Sequence, residues 1–186
     1  MKERFTPLEW AELEKLPLIV FLAVATADNK VDEAELSKLL AEFGDAARYR
    51  DPLHRELFVD LYAGDHILLL PATMEEIGDL SIPLLDSLGK RKDILHRHLS
   101  ETEYQRFIFS LFGFGLVIAA VSGGTVDDEE ANRLAIIGTA FGADLEAGRK
   151  ALQALPGGNS SATSSFAPAG AGAAGGKKHW WQSRSH

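Results

Sequence analysis

The chain has 186 residues, of which 46% are hydrophobic, so it is long enough to bury one sizeable core and short for two separate domains. Its formal net charge of −8 argues against the basic surface of a general nucleic-acid-binding protein, and we expect no nucleic-acid partner. Because the chain contains no cysteine, thiol catalysis, thiolate metal sites and disulfides are excluded.

Charge is distributed unevenly along the chain. Residues 156–186 contain three basic side chains and no acidic one, so the total of −8 leaves −11 on residues 1–155. The first residues, Met1-Lys2-Glu3-Arg4, are not followed by the hydrophobic region and small-residue cleavage site of a signal peptide. We therefore expect a cytoplasmic protein with an acidic body and a basic tail.

The first helix start signal is Thr6-Pro7-Leu8-Glu9. It combines an N-cap threonine, a proline at the first helical position and a glutamate placed to complete a capping box. We expect a short helix over residues 7–15, a restart or kink at Pro17, and an apolar helix over residues 18–27.

Two further helices are predicted before residue 65. From residue 32 onward, apolar side chains recur at the spacing of one buried helical face, and Gly44 stands in the position of a C-terminal cap. Asp51-Pro52 opens the next helix, and Gly64 ends it.

The middle of the chain gives weaker signals. Residues 67–70 are apolar and precede Pro71, which fits either a helix end or an extended link. Thr73-Met74-Glu75-Glu76 has the pattern of a capping box, and the basic residues 90–98 have the composition of a solvated turn.

The longest predicted helix opens at Ser100-Glu101-Thr102-Glu103 and extends to residue 121. It is apolar on nearly every side, which is typical of the buried centre of a bundle, and its apolar stretch is shorter than the roughly 20 residues of a membrane span. Asp127 starts another helix and Asp144 a last one. Since no segment alternates convincingly like a strand, the sequence predicts an all-α domain over residues 1–155.

An acidic segment occurs twice, with an offset of ninety-five residues. After a three-residue insertion, the two copies realign at Phe43-Gly44 and Phe141-Gly142. The matching pairs are Ala25 and Ala120, Val31 and Val126, Asp32 and Asp127, and Glu35 and Glu130.

Neither copy is an EF-hand calcium loop. With Val31 at the apolar eighth position of such a loop, its first and third ligand positions fall on Val24 and Thr26, which carry no carboxylate. A looser site that takes oxygen ligands from both copies stays open, and oxygen ligands favour Ca²⁺ or Mg²⁺.

Helix capping is the alternative explanation of the same acids. Asp32 and Asp127 are suitable N-caps, Glu35 and Glu130 stand where a capping box needs them, and each cap contributes about 1 kcal/mol. Capping does not require Asp28 or Asp128. Both explanations stay open at this point.

With these motifs, the chain resembles the tellurite-resistance TerB-like family. The resemblance rests on the first acidic segment, its counterpart at residues 126–130 and the two Phe-Gly helix ends, and it covers about residues 14–154. It implies a compact bundle of about seven helices with an internal pseudo-repeat and a divalent-metal site. The ligands that it implies are Asp28, Asp32, Glu35, Asp127, Asp128 and Glu130.

From Pro156 the composition changes to Gly, Ala, Ser and Pro, which predicts a flexible, disordered tail because such a segment buries too little apolar surface to offset its ordering entropy. The tail ends in a basic segment with two adjacent tryptophans. This segment is either a cloning remnant or a docking peptide, since Trp and Arg are favoured anchors at interfaces and Trp with Lys suits a membrane surface. The predicted partner-binding residues are Lys177, Lys178, Trp180, Trp181 and Arg184.

The family is linked to tellurite and other chemical stress and to membrane-associated stress complexes, without an established catalytic activity. The sequence contains no Gly-rich phosphate loop, G-x-S-x-G elbow or recognisable triad, and His54 and His66 are isolated. We therefore expect a stress-response interaction module with a protein partner and Ca²⁺ or Mg²⁺, not an enzyme, and no organic cofactor.

Three alternatives stay open. The first is a membrane-associated adaptor or scaffold, which docks peripherally at the inner face of the membrane through its tail and uses its acids only as helix caps. The second is a metal-dependent hydrolase, which would need an open cleft beside Asp28. The third is a plain structural scaffold.

Overall fold

The computed structural model describes residues 1–27, 31, 33–64, 69–77, 82–121 and 128–143. Within these residues, the chain forms seven α-helices and two short 3₁₀ helices, Lys2–Arg4 and Ala46–Arg48, and it forms no strand. This confirms the all-α prediction and the expected number of helices. The helices are α1 (Pro7–Ala25), α2 (Glu33–Gly44), α3 (Pro52–Ala63), α4 (Leu69–Ile77), α5 (Ile82–His98), α6 (Glu101–Ala119) and α7 (Asp128–Phe141).

The helices α1 and α6 form the centre of the bundle. Both have 19 residues and begin with the predicted capping box, formed by Thr6 with Glu9 and by Ser100 with Glu103. Each box satisfies backbone N–H groups that a helix start otherwise leaves without partners. Every residue of α1 from Leu16 to its C-terminus is buried.

The restart predicted at Pro17 is wrong, because α1 continues through this proline as one helix. An internal proline costs a helix about 3 kcal/mol, since it removes one backbone hydrogen bond and crowds the preceding turn. Here the flanking residues are fully buried, and each large aliphatic side chain contributes roughly 1.5–3 kcal/mol on burial. Tertiary packing therefore outweighs the local cost of Pro17.

The sequence repeat corresponds to two helix pairs, α1 with α2 and α6 with α7. Arg4, just before α1, forms an ion pair of 2.8 Å with Glu103 in the first turn of α6. Further along the same two helices, Val20 packs against Gly115, and these residues have the ninety-five-residue offset of the repeat. The helices α1 and α6 are therefore parallel, and their C-termini lie at the same end of the bundle.

Gly115 allows a close approach of α1, α6 and α7. A Cβ atom at this position would lie 2.6 Å from Leu134 Cδ2 and 2.9 Å from Val20 Cγ1. The Leu134 methyl group can rotate away, but Val20 is β-branched and fully buried, so the helices must shift. We expect Gly115→Ala to lower the free energy of unfolding by about 1–2 kcal/mol in urea denaturation, despite the better helix propensity of alanine.

Gly89→Ala is the matched control for this substitution. Gly89 lies inside α5, and a Cβ atom there would meet no other atom within 4 Å. Alanine should therefore stabilise α5 by up to about 1 kcal/mol. Equal effects of the two substitutions would contradict a steric role for Gly115.

Two predictions for the middle of the chain are wrong. Thr73-Met74-Glu75-Glu76 does not open a helix, because α4 begins at Leu69 and Thr73 is buried inside it. Residues 90–98 are not a solvated turn, because α5 is helical as far as His98 and its Arg91 side chain is fully buried.

Several helix ends follow the predicted glycine and proline positions. The helix α2 ends at Gly44, and α3 ends just before Gly64. Gly142, which follows α7, has a φ of 66°, the left-handed conformation that favours glycine at a helix C-terminus. Pro71 lies in the first turn of α4, where a missing N–H costs little, so Leu69 and Leu70 begin a helix, whereas residues 67 and 68 lie outside the described residues.

Arg91 joins α1, α4 and α5 through a fully buried guanidinium group. Its Nε donates to the backbone oxygen of Glu12 and its Nη2 to the Glu12 carboxylate, both over 2.8 Å. Its Nη1 forms an ion pair of 2.9 Å with Glu76 on α4 and donates to Ser87 on α5. We call these four residues the Arg91 clamp.

The clamp also sets the protonation of Glu76. Burial raises the pKa of this carboxyl group, but hydrogen bonds from Arg91 and Ser87 outweigh that effect and hold the pKa at about 2. The clamp therefore keeps Glu76 ionised at neutral pH.

Two predicted elements lie outside the described residues: the last helix from residue 144 and the tail from residue 156. Among the helices that the structure does describe, none is long and apolar enough to cross a bilayer.

Candidate functional site

Arg133 brings the two halves of the repeat together. From α7, its Nη1 donates to Thr26 Oγ1 over 3.0 Å and to the backbone oxygen of Ala23 over 3.5 Å. Thr26 is the C-terminal cap of α1, so the first acidic segment begins beside the first turns of α7. We call this part of the bundle the acidic end. Its described acids are Glu33, Glu35, Asp128, Glu129 and Glu130.

Helix geometry explains why acids are tolerated at the acidic end. All five described acids lie in the first turns of α2 and α7, where the partial positive charge of a helix N-terminus favours carboxylates. Arg133 adds a full positive charge at this end of the bundle. Its Nε forms an ion pair of 3.2 Å with Glu129, and only 16% of its side chain is exposed. It also lies at the negative C-terminal end of α1.

The predicted metal ligands differ in their surroundings. Glu35 and Glu130, at equivalent positions of the repeat, are both buried, with 4% and 6% exposure, and both have interaction partners. Asp128, the first residue of α7, is exposed. The predicted ligands that lie outside the described residues are Asp28, Asp32 and Asp127.

The described ligands do not by themselves form a metal centre. Within the described ranges, no group of three or more His, Asp or Glu side chains could hold a metal ion. A complete site therefore needs ligands from residues 28–32 and 127, in addition to those of α2 and α7. The N-caps predicted at Asp32 and Asp127 lie outside the described ranges as well, so the capping explanation stays a prediction.

A polar groove of about 910 Å³ lies between α1, α4 and α5, next to the Arg91 clamp. Lys15 forms ion pairs of 2.9 Å with Glu12 and 3.1 Å with Glu76, and Arg91 pairs with the same two carboxylates, so the two positive charges balance the two negative ones. The remaining lining residues are Lys90, Asp93, Ile94, His96 and Arg97. Sequence reasoning missed the groove, because its walls come from segments far apart in the chain.

The histidines of α5 diverge, as their spacing predicts. The ring of His96 stacks on Tyr104, with the centroids 4.0 Å apart, whereas His98 Nε2 lies 3.2 Å from a Glu9 carboxylate oxygen. They therefore do not share a ligand.

His54 and Ser110 form a contact that the sequence did not predict. The Nδ1 atom of His54 lies 2.6 Å from Ser110 Oγ, a distance typical of a nucleophile and its base. However, burial lowers the pKa of His54 to about 3, which makes it a poor general base at neutral pH. This pair therefore does not support hydrolase chemistry.

The predicted partner-binding residues Lys177, Lys178, Trp180, Trp181 and Arg184 all lie outside the described residues. Comparisons of the chain with protein-family models, with curated proteins and with solved structures found no match. The resemblance to the TerB-like family stays a prediction.

Proposed function

We propose that the chain is a stress-response interaction module of the TerB-like kind, which binds Ca²⁺ or Mg²⁺ at its acidic end and catalyses no reaction. The contact between Arg133 and Thr26 carries this proposal, because it joins the start of the first acidic segment to the part of α7 that directly follows the second one. The first segment lacks the early ligands of a calcium loop, so ligands from the second segment would complete the coordination shell.

The number of acids at the acidic end supports a bound cation. Arg133 pairs with Glu129 and offsets one of the carboxylates, and the segments contain three further aspartates at positions 28, 32 and 127. A divalent cation with oxygen ligands would offset the charge of these aspartates.

The tail is the proposed contact with a protein partner. Its Gly, Ala, Ser and Pro composition suits a tether, and residues 177–184 combine tryptophan with basic side chains, which are favoured anchors at interfaces. Under this proposal, the helical bundle senses the cation and the tail recruits the partner.

Calorimetric titration of Ca²⁺ and Mg²⁺ into the chelator-treated full chain tests the proposal. We expect saturable binding in the parent and an affinity at least about tenfold lower in the double variant Asp28→Asn and Asp128→Asn, because each change removes one charged oxygen ligand. Neither residue is a predicted N-cap, and the lost interaction of Asp128 with the N-terminus of α7 should cost less than about 1 kcal/mol, so the helices should stay folded.

The matched control is the double variant Asp86→Asn and Glu75→Gln. It removes two exposed acids from α5 and α4 and changes the net charge by the same amount. Its affinity should equal that of the parent. Equal binding by the parent and the Asp28 and Asp128 variant, or no binding by the parent at millimolar ion, would contradict the proposal and leave helix capping as the role of the acids.

A further inference from the structure

His54 is buried where α3 meets the central helix α6. Its side chain is inaccessible to solvent, and its Nδ1 contacts Ser110 of α6 over 2.6 Å. Aromatic rings surround the imidazole, with centroid distances of 4.3 Å to Tyr49, 4.2 Å to Phe58, and 6.2 and 6.1 Å to two phenylalanines of α6. We call the set of Tyr49, Phe58, Phe107 and Phe114 the His54 cage.

The cage suits a neutral imidazole and disfavours a charged one. His54 Nε2 has no hydrogen-bond partner among the described residues. Protonation would place a positive charge and an N–H without an acceptor among four aromatic rings, and a buried unpaired charge costs several kcal/mol. Contacts with the ring faces would offset only about 1–2 kcal/mol of that cost.

The charged groups around the cage are already paired with other residues. The two carboxylate oxygens of Asp51 accept from the His54 backbone N–H over 2.9 Å and from Arg106 over 3.0 Å. Glu42 accepts from the Tyr49 hydroxyl over 2.5 Å. It also pairs with Lys38 and Arg48. On α1, the buried segment from Leu16 to Ala25 contains no titratable side chain.

The cage is one of two attachments of a hairpin to the rest of the bundle, since Glu56 and Asp60 at the other end of α3 bind Met1, Lys2 and Trp10. We define the hairpin as residues 33–63, which comprise α2, the 3₁₀ helix Ala46–Arg48 and α3. The helix α2 packs mainly against α3 and only lightly against α6, so the hairpin depends on α3 for its attachment. Contacts of His54 with Ser110 and of Asp51 with Arg106 supply polar links from α3 to α6.

We propose that His54 is an acid-sensitive latch: its neutral form holds the hairpin on α6, and its protonation releases the hairpin while α1, α6 and α7 stay packed. The local opening frees the imidazole to bind a proton in water. Since α2 carries Glu35, the opening would also move one half of the acidic end, but the latch does not depend on cation binding there.

Hydrogen exchange of the full chain at pH 7.5 and pH 5.0 tests the latch, with the rates corrected for the intrinsic effect of pH. A histidine with the ordinary pKa of 6.5 in the open state raises the opening equilibrium about 30-fold between these pH values. We expect this increase in peptides from the hairpin, and an increase below about threefold in peptides from α7. Parallel increases in both regions would overturn the proposal, because they would show global unfolding only.

The variants His54→Phe and His54→Gln test whether His54 is the group that titrates. Phenylalanine preserves the aromatic packing, glutamine preserves a polar contact with Ser110, and neither titrates in this range. Both should abolish the increase in the hairpin, whereas His98→Gln, at a half-buried position beside Glu9, should retain it. An increase that persists in either His54 variant would overturn the proposal. If both variants fail to fold, the test of the proposal is the comparison of hydrogen exchange between hairpin peptides and α7 peptides of the parent.

Discussion

Replacing Arg91 with methionine is expected to lower the free energy of unfolding by about 3–5 kcal/mol. Methionine retains most of the apolar volume, so the loss comes from the guanidinium contacts with Glu12, Glu76 and Ser87. Without Arg91, Lys15 is the one cation that the described residues offer to the carboxylates of Glu12 and Glu76, and Ser87 still donates to Glu76. The two carboxylates are 39% and 30% exposed, so water can solvate them when Arg91 is removed. We therefore expect the free energy of unfolding to fall by about 3 kcal/mol. Urea denaturation followed by far-UV circular dichroism measures it.

Two controls separate the buried clamp from ordinary surface charge. Arg97→Met removes a guanidinium that is 61% exposed and pairs with Glu9, so it should cost less than about 1 kcal/mol. Adding Glu76→Gln to Arg91→Met should cost less than the sum of the two single changes, because the carboxylate that lost its partner is also removed. A loss below 1 kcal/mol for Arg91→Met would show that the clamp does not hold α1, α4 and α5 together.

The elements that the sequence predicted correctly depend on short-range chemistry. The capping boxes at Thr6 and Ser100 each require two residues three positions apart, so their pattern is visible in the chain itself. The failures depend on long-range contacts. Residues 90–98 have a basic composition, but Arg91 is buried because Glu12, 79 residues away, accepts its hydrogen bonds. Pro17 likewise stays helical because of tertiary packing.

The candidate site was predictable only in part for the same reason. The repeat indicates that Glu35 and Glu130 are equivalent, and both are indeed buried. Nothing in the spacing of acids shows that Arg133 contacts Thr26, which is 107 residues away. His54 and Ser110 are separated by 56 positions and share no motif, so their contact was not visible either. Sequence patterns thus indicate which residues are candidates for a functional site, and tertiary packing determines which of these residues contact one another.

Acidification from pH 7.5 to pH 5.0 is expected to cost the parent about 2 kcal/mol of stability through His54 alone. Burial lowers the pKa of His54 from 6.5 to about 3 in the folded chain. Between these values the unfolded chain binds a proton that the folded chain does not, so this stability is fully present above pH 6.5 and is lost as the pH falls towards 3. Urea denaturation at several pH values measures the slope, which should approach 1.4 kcal/mol per pH unit.

The pH window identifies the group that is responsible. Glu76, whose pKa the clamp holds at about 2 against an ordinary 4.5, contributes stability that is lost only as the pH falls below about 4.5. Between pH 6.5 and pH 4.5, the difference between the parent and His54→Phe therefore isolates the buried histidine. The His98→Gln variant should keep the part of the slope that His54 supplies. If His54→Phe keeps it too, His54 is already accessible to protons in the folded chain, and the His54 cage cannot act as a latch.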